Sequence, residues 1–202
     1  LTHIRHSEKV FIMKRLLLIL ILTLSFQNLA KANDISIMEI EGVSVGDSLL
    51  DYFNSKQIKD KRKFLNIGGK ILEDFSRVIL KKNLENYETV SLSFKSNDSK
   101  YIILGIAGRN YYEQNISQCY KDMKRISKEI ETSFKELKRN DYSKRKIKNL
   151  PSGNSYVTKI AYFIEGGVIG LQCYDFSAKD VNDRDRLSII IFSDEYNNAL
   201  MQ

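Results

Sequence analysis

The sequence predicts an α+β fold: a mainly antiparallel sheet with one long amphipathic helix packed on a face, plus short N- and C-terminal helices. Three observations support this class. Two pairs of strand-like segments flank turn residues, and one stretch carries an apolar stripe at helical spacing. One of the two cysteines lies in the helical stretch and the other in the second strand pair. No internal repeat or linker-like stretch interrupts residues 33–202, so we expect a single domain there.

The first part of this domain predicts a strand and then a helix. Apolar residues alternate from Ile35 to Glu41, as in a strand. Ser44 and Asp47 form a variant capping box, which predicts a short amphipathic helix that reaches Phe53. Residues 55–61 extend this helix as a second segment.

A β-hairpin follows. Val90 to Phe94 alternates apolar and polar residues, residues 96–99 form a polar turn, and Tyr101 to Arg109 returns as an apolar strand. Phe75 to Leu80 predicts a further strand, whereas residues 64–69 show no clear pattern.

The period then changes from two to about 3.6 residues. One apolar stripe predicts a helix from Ser117 to about Lys138, which Ser117 or Asn115 can cap. The stripe consists of Cys119, Met123, Ile126, Ile130, Phe134 and Leu137. Residues 139–153 are expected to form a basic loop, because Pro151 and Gly153 break regular structure.

The last part predicts more sheet. Thr158 to Phe176 forms a second hairpin around residues 165–167, and Leu187 to Phe192 is apolar enough to be a central strand. Ser193 can cap a short terminal helix.

The cysteine positions fit this arrangement. Cys119 lies on the helical stripe, and Cys173 shares a strand face with Ile169 and Leu171. The two cysteines are too far apart in sequence for a C-x-x-C redox pair, so we predict a structural disulfide that ties the long helix to the sheet.

Residues 13–32 are predicted to be a signal peptide. A Lys-Arg pair opens the segment, an apolar run of about eleven residues follows, and Ala30-Lys31-Ala32 has the small-x-small pattern of a cleavage site. A membrane-spanning helix needs roughly twenty apolar residues, so no transmembrane anchor is expected after cleavage behind Ala32. Residues 1–12 are interpreted as translated upstream sequence, and the expected location is periplasmic or secreted.

The composition limits the possible functions. The full chain has a net charge of +7. Residues 1–32 hold five basic residues and one acidic residue. Without them 27 basic and 24 acidic residues remain, and the net charge is +3. Nucleic acid is therefore not expected as a partner. The only histidines, His3 and His6, lie outside the predicted domain, which excludes Ser-His and Cys-His catalysis and histidine-bound metals.

No motif for catalysis, a metal or a cofactor is intact. The Gly42–Gly46 stretch matches G-x-S-x-G but lacks a histidine, residues 68–70 lack the rest of a phosphate loop, and residues 143–146 match S-x-x-K within a charged stretch only. A polar turn holds four acids, for which calcium binding is the alternative: Asp175, Asp180, Asp183 and Asp185. We expect no catalytic residues, no metal and no cofactor.

The leader, the IEGVSVGDSLLDYF stretch, the cysteine in the helix and the late QCYDF strand together resemble a group of uncharacterised small secreted proteins of AT-rich marine alphaproteobacteria. This resemblance covers most of residues 33–202 and implies a compartment and a type of fold, but no activity. The Gly42–Gly46 stretch also resembles the opening of small envelope-assembly lipoproteins, whose lipidated cysteine is missing here.

The stretch from Lys121 to Lys148 holds eleven basic and five acidic residues, and it predicts a surface for an anionic envelope component or an envelope protein. The residues of this predicted helix surface are Lys121, Lys124, Arg125, Lys128, Lys135, Lys138 and Arg139. A solvated face is the alternative. The sequence thus favours an exported, non-enzymatic binding or interaction module, and the other hypothesis is a carboxylate-based hydrolase acting on a polysaccharide or a similar envelope substrate.

Overall fold

The computed structural model describes residues 34–67, 70–134, 137–148, 150–180 and 184–201. The predicted signal peptide and residues 1–12 lie outside the described residues. The described part contains mainly antiparallel sheet with a few helices, which fits the α+β class.

The strands are β1 (Glu39–Ile40), β2 (Val43–Ser44), β3 (Lys63–Ile67), β4 (Lys70–Leu80), β5 (Thr89–Lys95), β6 (Ile103–Tyr112), β7 (Lys138–Lys146), β8 (Tyr156–Ile164), β9 (Gly167–Asp175) and β10 (Asp185–Ser193). The α-helices are α1 (Ser55–Lys61), α2 (Ile116–Ser133) and α3 (Asp194–Met201), and 3-10 turns span Ile35–Ile37 and Leu49–Asp51.

Strands β3 to β10 form one sheet of eight strands, in the order β3-β4-β5-β6-β10-β9-β8-β7, and all neighbours are antiparallel. Two four-stranded meanders therefore meet where β6 pairs with β10. The predicted central strand, Leu187 to Phe192, is confirmed, because β10 has hydrogen-bonded neighbours on both sides.

The main core lies between one face of the sheet and α2. Cys119, Met123 and Ile130 of the helix are buried against the apolar residues of β9 and β10 on that side. The segment that precedes α1 adds buried residues to the same core, including Leu49. We call this side of the sheet the helix face, and its burial supplies most of the apolar area that the fold removes from water.

The predicted disulfide is confirmed. Cys119 and Cys173 are bonded, with their Cα atoms 5.9 Å apart, and the bond joins α2 to β9 on the helix face. None of the described helices is long and apolar enough to span a membrane.

The predicted first strand is mostly wrong. The chain from Ile35 forms a 3-10 turn that Asp34 caps, and only Glu39–Ile40 pairs, with β2, through a two-residue hairpin. Glu41 and Gly42 both have positive φ, which is the geometry that such a tight hairpin requires.

The predicted helix after Ser44 is also corrected. The Asp47 carboxylate accepts the backbone N–H of Ser44 at 2.8 Å, but this bond closes a turn and no α-helix begins there. The second predicted segment is the one that is helical: α1 starts with a reciprocal capping box between Asn54 and Gln57.

The predicted basic loop over residues 139–153 is wrong over its first half, because β7 continues to Lys146 and pairs with β8. β7 lies at one edge of the sheet, where exposed charged side chains are tolerated and hinder pairing with other chains. The helix also ends earlier than predicted, since the chain turns extended at Phe134. The unassigned stretch from Phe64 forms β3, the opposite edge strand.

Candidate functional site

The structure divides the predicted helix surface between two elements. Lys121, Lys124, Arg125 and Lys128 are exposed on α2, whereas Lys138 and Arg139 belong to β7. Lys135 lies outside the described residues. Alternation along β7 turns Lys138 and Arg139 to opposite sides of the sheet, so the described residues of this set do not form one continuous surface.

Both arginines of this predicted surface already have acidic partners. Arg125 pairs with Glu129 at 2.9 Å and with Asp122 at 3.6 Å. Arg139 binds Glu131 and Asp141, and its bond to Asp141 measures 2.7 Å. These ion pairs offset the charge of both arginines.

A second basic surface lies on the other side of the sheet. Residues that face each other across antiparallel strands point to the same side, as do residues two apart along a strand. Ser93 of β5 faces Arg77 of β4 and Gly105 of β6, so these three residues point to the same side of the sheet. Arg109 lies four residues after Gly105 on β6 and therefore shares this side with Arg77.

The same argument adds a third arginine. Arg109 faces Ser188 of β10, and Arg186 lies two residues before Ser188 on that strand. Arg77, Arg109 and Arg186, all half-buried, therefore project from the side opposite α2. We call this set the arginine face.

The middle of this side lacks acidic residues. The middle stretches of the six central strands contain no Asp or Glu, whereas β4 carries Glu73 and Asp74 before its middle stretch. These stretches are residues 75–79, 89–93, 105–111, 157–163, 168–174 and 186–192. Burial lowers the pKa of the Arg109 guanidinium, and the positive charges of Arg186 and Arg77 lower it further. Arg109 thus lies within electrostatic range of both other arginines, whereas the register separates Arg77 from Arg186 by three strands.

Small polar residues lie between the arginines. Ser91, Ser93 and Ser188 are 3, 5 and 3% exposed, and by register they point to the same side as the arginine face. Serine hydroxyls can donate or accept hydrogen bonds, so this part of the sheet can adapt to a polar group.

Tyr196 of α3 borders the arginine face. Its ring lies directly on the Gly105 backbone and makes edge-to-face contacts with Phe75 and Phe192, at centroid distances of 5.2 and 5.0 Å. Burial raises the pKa of the phenol, whereas a hydrogen bond with Ser93 and the charges of Arg77 and Arg109 lower it. The phenol therefore lies within the field of two arginines.

Aromatic rings also lie at the border of the arginine face that is formed by Arg184 and Arg186. The Arg186 guanidinium lies 4.4 Å from the ring centroid of Tyr174, and the Arg184 guanidinium lies 4.6 Å from that of Tyr111. Such stacking limits the rotation of a guanidinium. Arg184 also forms ion pairs with Glu113 at 3.3 Å and with Glu88 at 3.7 Å.

The acidic turn does not form a metal site in the described part of the chain, where no group of three or more His, Cys, Asp or Glu could hold an ion. Asp175 pairs with Lys144 at 2.6 Å, and Asp185 accepts the backbone N–H of Phe176 at 2.8 Å. Asp180 accepts hydrogen bonds from Ser152 and Ser155, and Asp183 lies outside the described residues.

A cavity of about 400 Å³ lies elsewhere, beside the turn between β5 and β6. Its charged lining residues include Lys95 and Glu195, which form an ion pair with each other. The arginine face carries three guanidinium groups on one side of the sheet and is therefore the stronger candidate site.

Sequence reasoning missed the arginine face. Arg77, Arg109 and Arg186 lie in three strands that are distant in sequence. The available signal was alternation: Arg186 and Ser188 fall on the polar side of an otherwise apolar strand. No protein-family model, curated protein or solved structure matches the chain.

Proposed function

We propose that this chain is an exported, non-enzymatic binding protein of the cell envelope that holds an anionic partner on the arginine face. The observation that carries the proposal is that Arg77, Arg109 and Arg186 lie on one side of the sheet, where the middle stretches of the central strands contain no carboxylate. Arg109 is half-buried and is repelled by the charges of Arg186 and Arg77, and an anion that binds beside it offsets this cost.

Export is supported by three features. The leader-like pattern of residues 13–32 and the resemblance to small secreted proteins both favour it. The Cys119–Cys173 disulfide is the kind of bond that persists in oxidising compartments.

Binding is favoured over catalysis by the roles of the acidic residues. A carboxylate-based hydrolase needs two converging acids, one of them with a raised pKa. Asp175, Asp180 and Asp185 instead hold an ion pair, two serines and a backbone N–H, respectively. Burial and the charge of Asp175 do raise the pKa of Asp185, but Asp175 pairs with Lys144 and Asp185 is only 3% exposed, which favours a structural role.

The test is recovery of the protein from its own cells after mild crosslinking, at low and at high salt. We compare the wild type with an Arg109→Gln/Arg186→Gln variant and with a Lys121→Gln/Lys124→Gln variant, which loses the same charge from α2. We expect an anionic envelope component to be recovered with the wild type and with the Lys121→Gln/Lys124→Gln variant. This component should be lost with the Arg109→Gln/Arg186→Gln variant or at high salt.

Loss with the helix variant alone would instead locate binding on α2 and contradict the proposal. Mass spectrometry of the recovered protein tests export directly. We expect an N-terminus at Asn33 and no free thiol on Cys119 or Cys173.

A further inference from the structure

We infer that the side of the sheet opposite α2 binds a linear anionic polysaccharide, which lies across the strands along Arg109, Lys159 and Arg145. This inference rests on the proposed function, because it names the class of the anionic partner and the path that this partner takes over the same side of the sheet.

The cations lie along a line that crosses the sheet. Arg109 of β6 faces Ser188 of β10, and Ser188 faces Gln172 of β9. Gln172 in turn faces Lys159 of β8, so all four residues share one side of the sheet. Arg145 of β7 pairs with the residue two positions before Lys159 and therefore lies on this side too, at the next diagonal position. We call Arg109, Lys159 and Arg145 the cation track.

The cation track is too long for a small ion. Arg109 and Lys159 are three strands apart, which corresponds to about 14 Å between their Cα atoms. Arg145 adds a diagonal step of about 7–8 Å. A chain with repeated negative charges can contact each cation in turn, and each contact raises the effective concentration of the next charge.

The three cations have no carboxylate partner in the described part of the chain. None of them forms an ion pair there, and the line of facing residues from Thr89 of β5 to Tyr142 of β7 contains no acid. Burial lowers the pKa of Lys159, and the positive charge of Arg145 lowers it further. The negative charges of a bound polymer would offset both effects.

A row of small residues runs beside the cation track, two positions further toward Gly105 and α3. On the same side of the sheet, its members in β5, β6, β9 and β8 are Ser91, Ala107, Gly170 and Ala161. Ile190 of β10 is the larger residue of this row, and it lies so close to Gly170 that a Cβ there would be 2.5 Å from its side chain. The row therefore leaves a shallow floor on which an extended chain can lie next to the cations.

The surroundings favour a polysaccharide over an acidic peptide. A peptide usually joins a sheet along a free strand edge, but the track crosses β6, β10, β9 and β8, which are paired on both sides. The small residues beside the track provide no apolar anchor for peptide side chains. Sugar hydroxyls can instead bond to the amide N–H groups of Gln172, whose oxygen already accepts the Tyr174 hydroxyl.

The aromatic rings disfavour single-stranded nucleic acid. Proteins that bind such strands stack the bases on exposed ring faces. Here the Arg145 guanidinium lies 5.7 Å from the ring centroid of Tyr142, and the Arg186 guanidinium lies 4.4 Å from that of Tyr174. These contacts cover ring area that stacked bases would need, and they order the guanidinium groups instead.

The test is isothermal titration of the purified protein at neutral pH and low salt with oligogalacturonates, which carry one carboxylate on each sugar. We expect the octasaccharide to bind at least about thirtyfold more tightly than the disaccharide, because only the longer chain reaches from Arg109 to Arg145. The neutral octasaccharide maltooctaose should not bind. High salt should weaken binding of the charged octasaccharide. Polyglutamate and oligothymidylate with eight charges test the other two classes of polymer and should both bind more weakly.

Variants assign the path. Lys159→Gln/Arg145→Gln should weaken octasaccharide binding by about tenfold or more, whereas Lys121→Gln/Lys124→Gln, which loses the same charge from α2, should stay within about twofold of the wild type. Lys159→Arg keeps the charge and should also stay within about twofold. Thermal unfolding without ligand checks that each variant is folded.

Three results would overturn the inference: a gain from disaccharide to octasaccharide below about tenfold, equal losses for the track variant and the α2 variant, or tighter binding of polyglutamate or oligothymidylate. If one of them occurs but the crosslinked envelope component is still lost with the Arg109→Gln/Arg186→Gln variant, only the polysaccharide or its path is wrong and the proposed function stands. If that component is recovered with the arginine variant as well, both fail.

Discussion

Cys119 in the first turn of α2 is bonded to Cys173 in β9, and this one bond fixes the start of the helix over the middle of the sheet. Both cysteines are fully buried, in the same core as Leu171 and Leu187. The arginine face lies on the other side of the same strands. The disulfide and the packing of α2 therefore stabilise the surface that presents the candidate site.

Removing the disulfide should destabilise the protein strongly. The bond closes a loop of about 55 residues, for which the chain-entropy model gives roughly 4 kcal/mol. We expect a Cys119→Ala/Cys173→Ala variant to lose an amount of this order in urea unfolding, and the reduced wild type to behave similarly. A loss below about 1 kcal/mol would show that packing alone fixes α2.

Gly105 should be intolerant of any side chain. A Cβ at this position would lie 2.6 Å from the Tyr196 ring, which Phe75 and Phe192 prevent from moving away. We expect Gly105→Ala to cost about 1–3 kcal/mol in chemical denaturation. In a Tyr196→Ala background only the 3.0 Å approach to the Phe192 ring remains, so the same substitution should cost less, and additive costs in the double-mutant cycle would contradict this packing.

Arg109→Gln should stabilise the unliganded protein. The substitution removes a half-buried charge that Arg186 and Arg77 repel, and a gain of about 0.5–1 kcal/mol at low salt is reasonable for such a site. Arg125→Gln should instead lose a few tenths of a kcal/mol, because it breaks an exposed helical ion pair. Thermal unfolding of both variants at two salt concentrations tests the opposite signs, and equal destabilisation would refute the charge argument.

Tyr162→Phe should be more costly than Tyr120→Phe. The Tyr162 hydroxyl is buried, lies 2.6 Å from the Ser127 hydroxyl and donates to Glu131 at 3.0 Å, so its removal takes one hydrogen-bond partner from each of these two α2 side chains. We expect a loss of about 1–2 kcal/mol. The Tyr120 hydroxyl has one longer contact, 3.3 Å to Thr158, and serves as the control. Equal losses in urea unfolding would contradict the role given to this network.

Asp98→Asn should change the pH dependence of stability. The Asp98 carboxylate accepts the N–H groups of Ile102 and Lys100 at 2.8 and 2.9 Å, and these bonds hold its pKa below the usual value. A lowered pKa contributes stability that is complete above the unfolded-state pKa, near 4, and is lost as the pH falls through the folded-state pKa.

We therefore expect the variant to be less stable than the wild type by about 1 kcal/mol at pH 7, with the difference shrinking below about pH 4. Denaturant unfolding between pH 3 and pH 7 measures this difference. A difference that stays constant over this range would show that the carboxylate charge contributes nothing.

Local periodicity predicted much of the sheet and the buried stripe of the long helix. The alternation from Val90 to Phe94 and the helical spacing of Cys119, Met123 and Ile130 involve residues within a few positions of one another, and backbone geometry alone decides which of them share a face. The disulfide was predictable because Cys119 and Cys173 are the only two cysteines and each lies on an apolar face.

The edge strand β7 was missed because nothing apolar marks it. Its exposed lysines and arginines resemble a loop in sequence, and its conformation depends on hydrogen bonds to β8, which only the assembled sheet provides. The pattern of Ser44 and Asp47 was misread as a helix start for a related reason. The same pattern can close a turn instead, when the chain that follows must reach another strand.

The sequence was enough to establish the fold class, the disulfide and the periodic elements, because each depends on neighbouring residues or on a unique pair. The arginine face was decided by tertiary structure. Arg77, Arg109 and Arg186 lie on one side of the sheet only because of the register of β4, β5, β6 and β10. A shift of one residue in any pairing would turn an arginine to the other side of the sheet. Register is set by long-range packing of the whole sheet, so no local pattern could reveal which charges become neighbours.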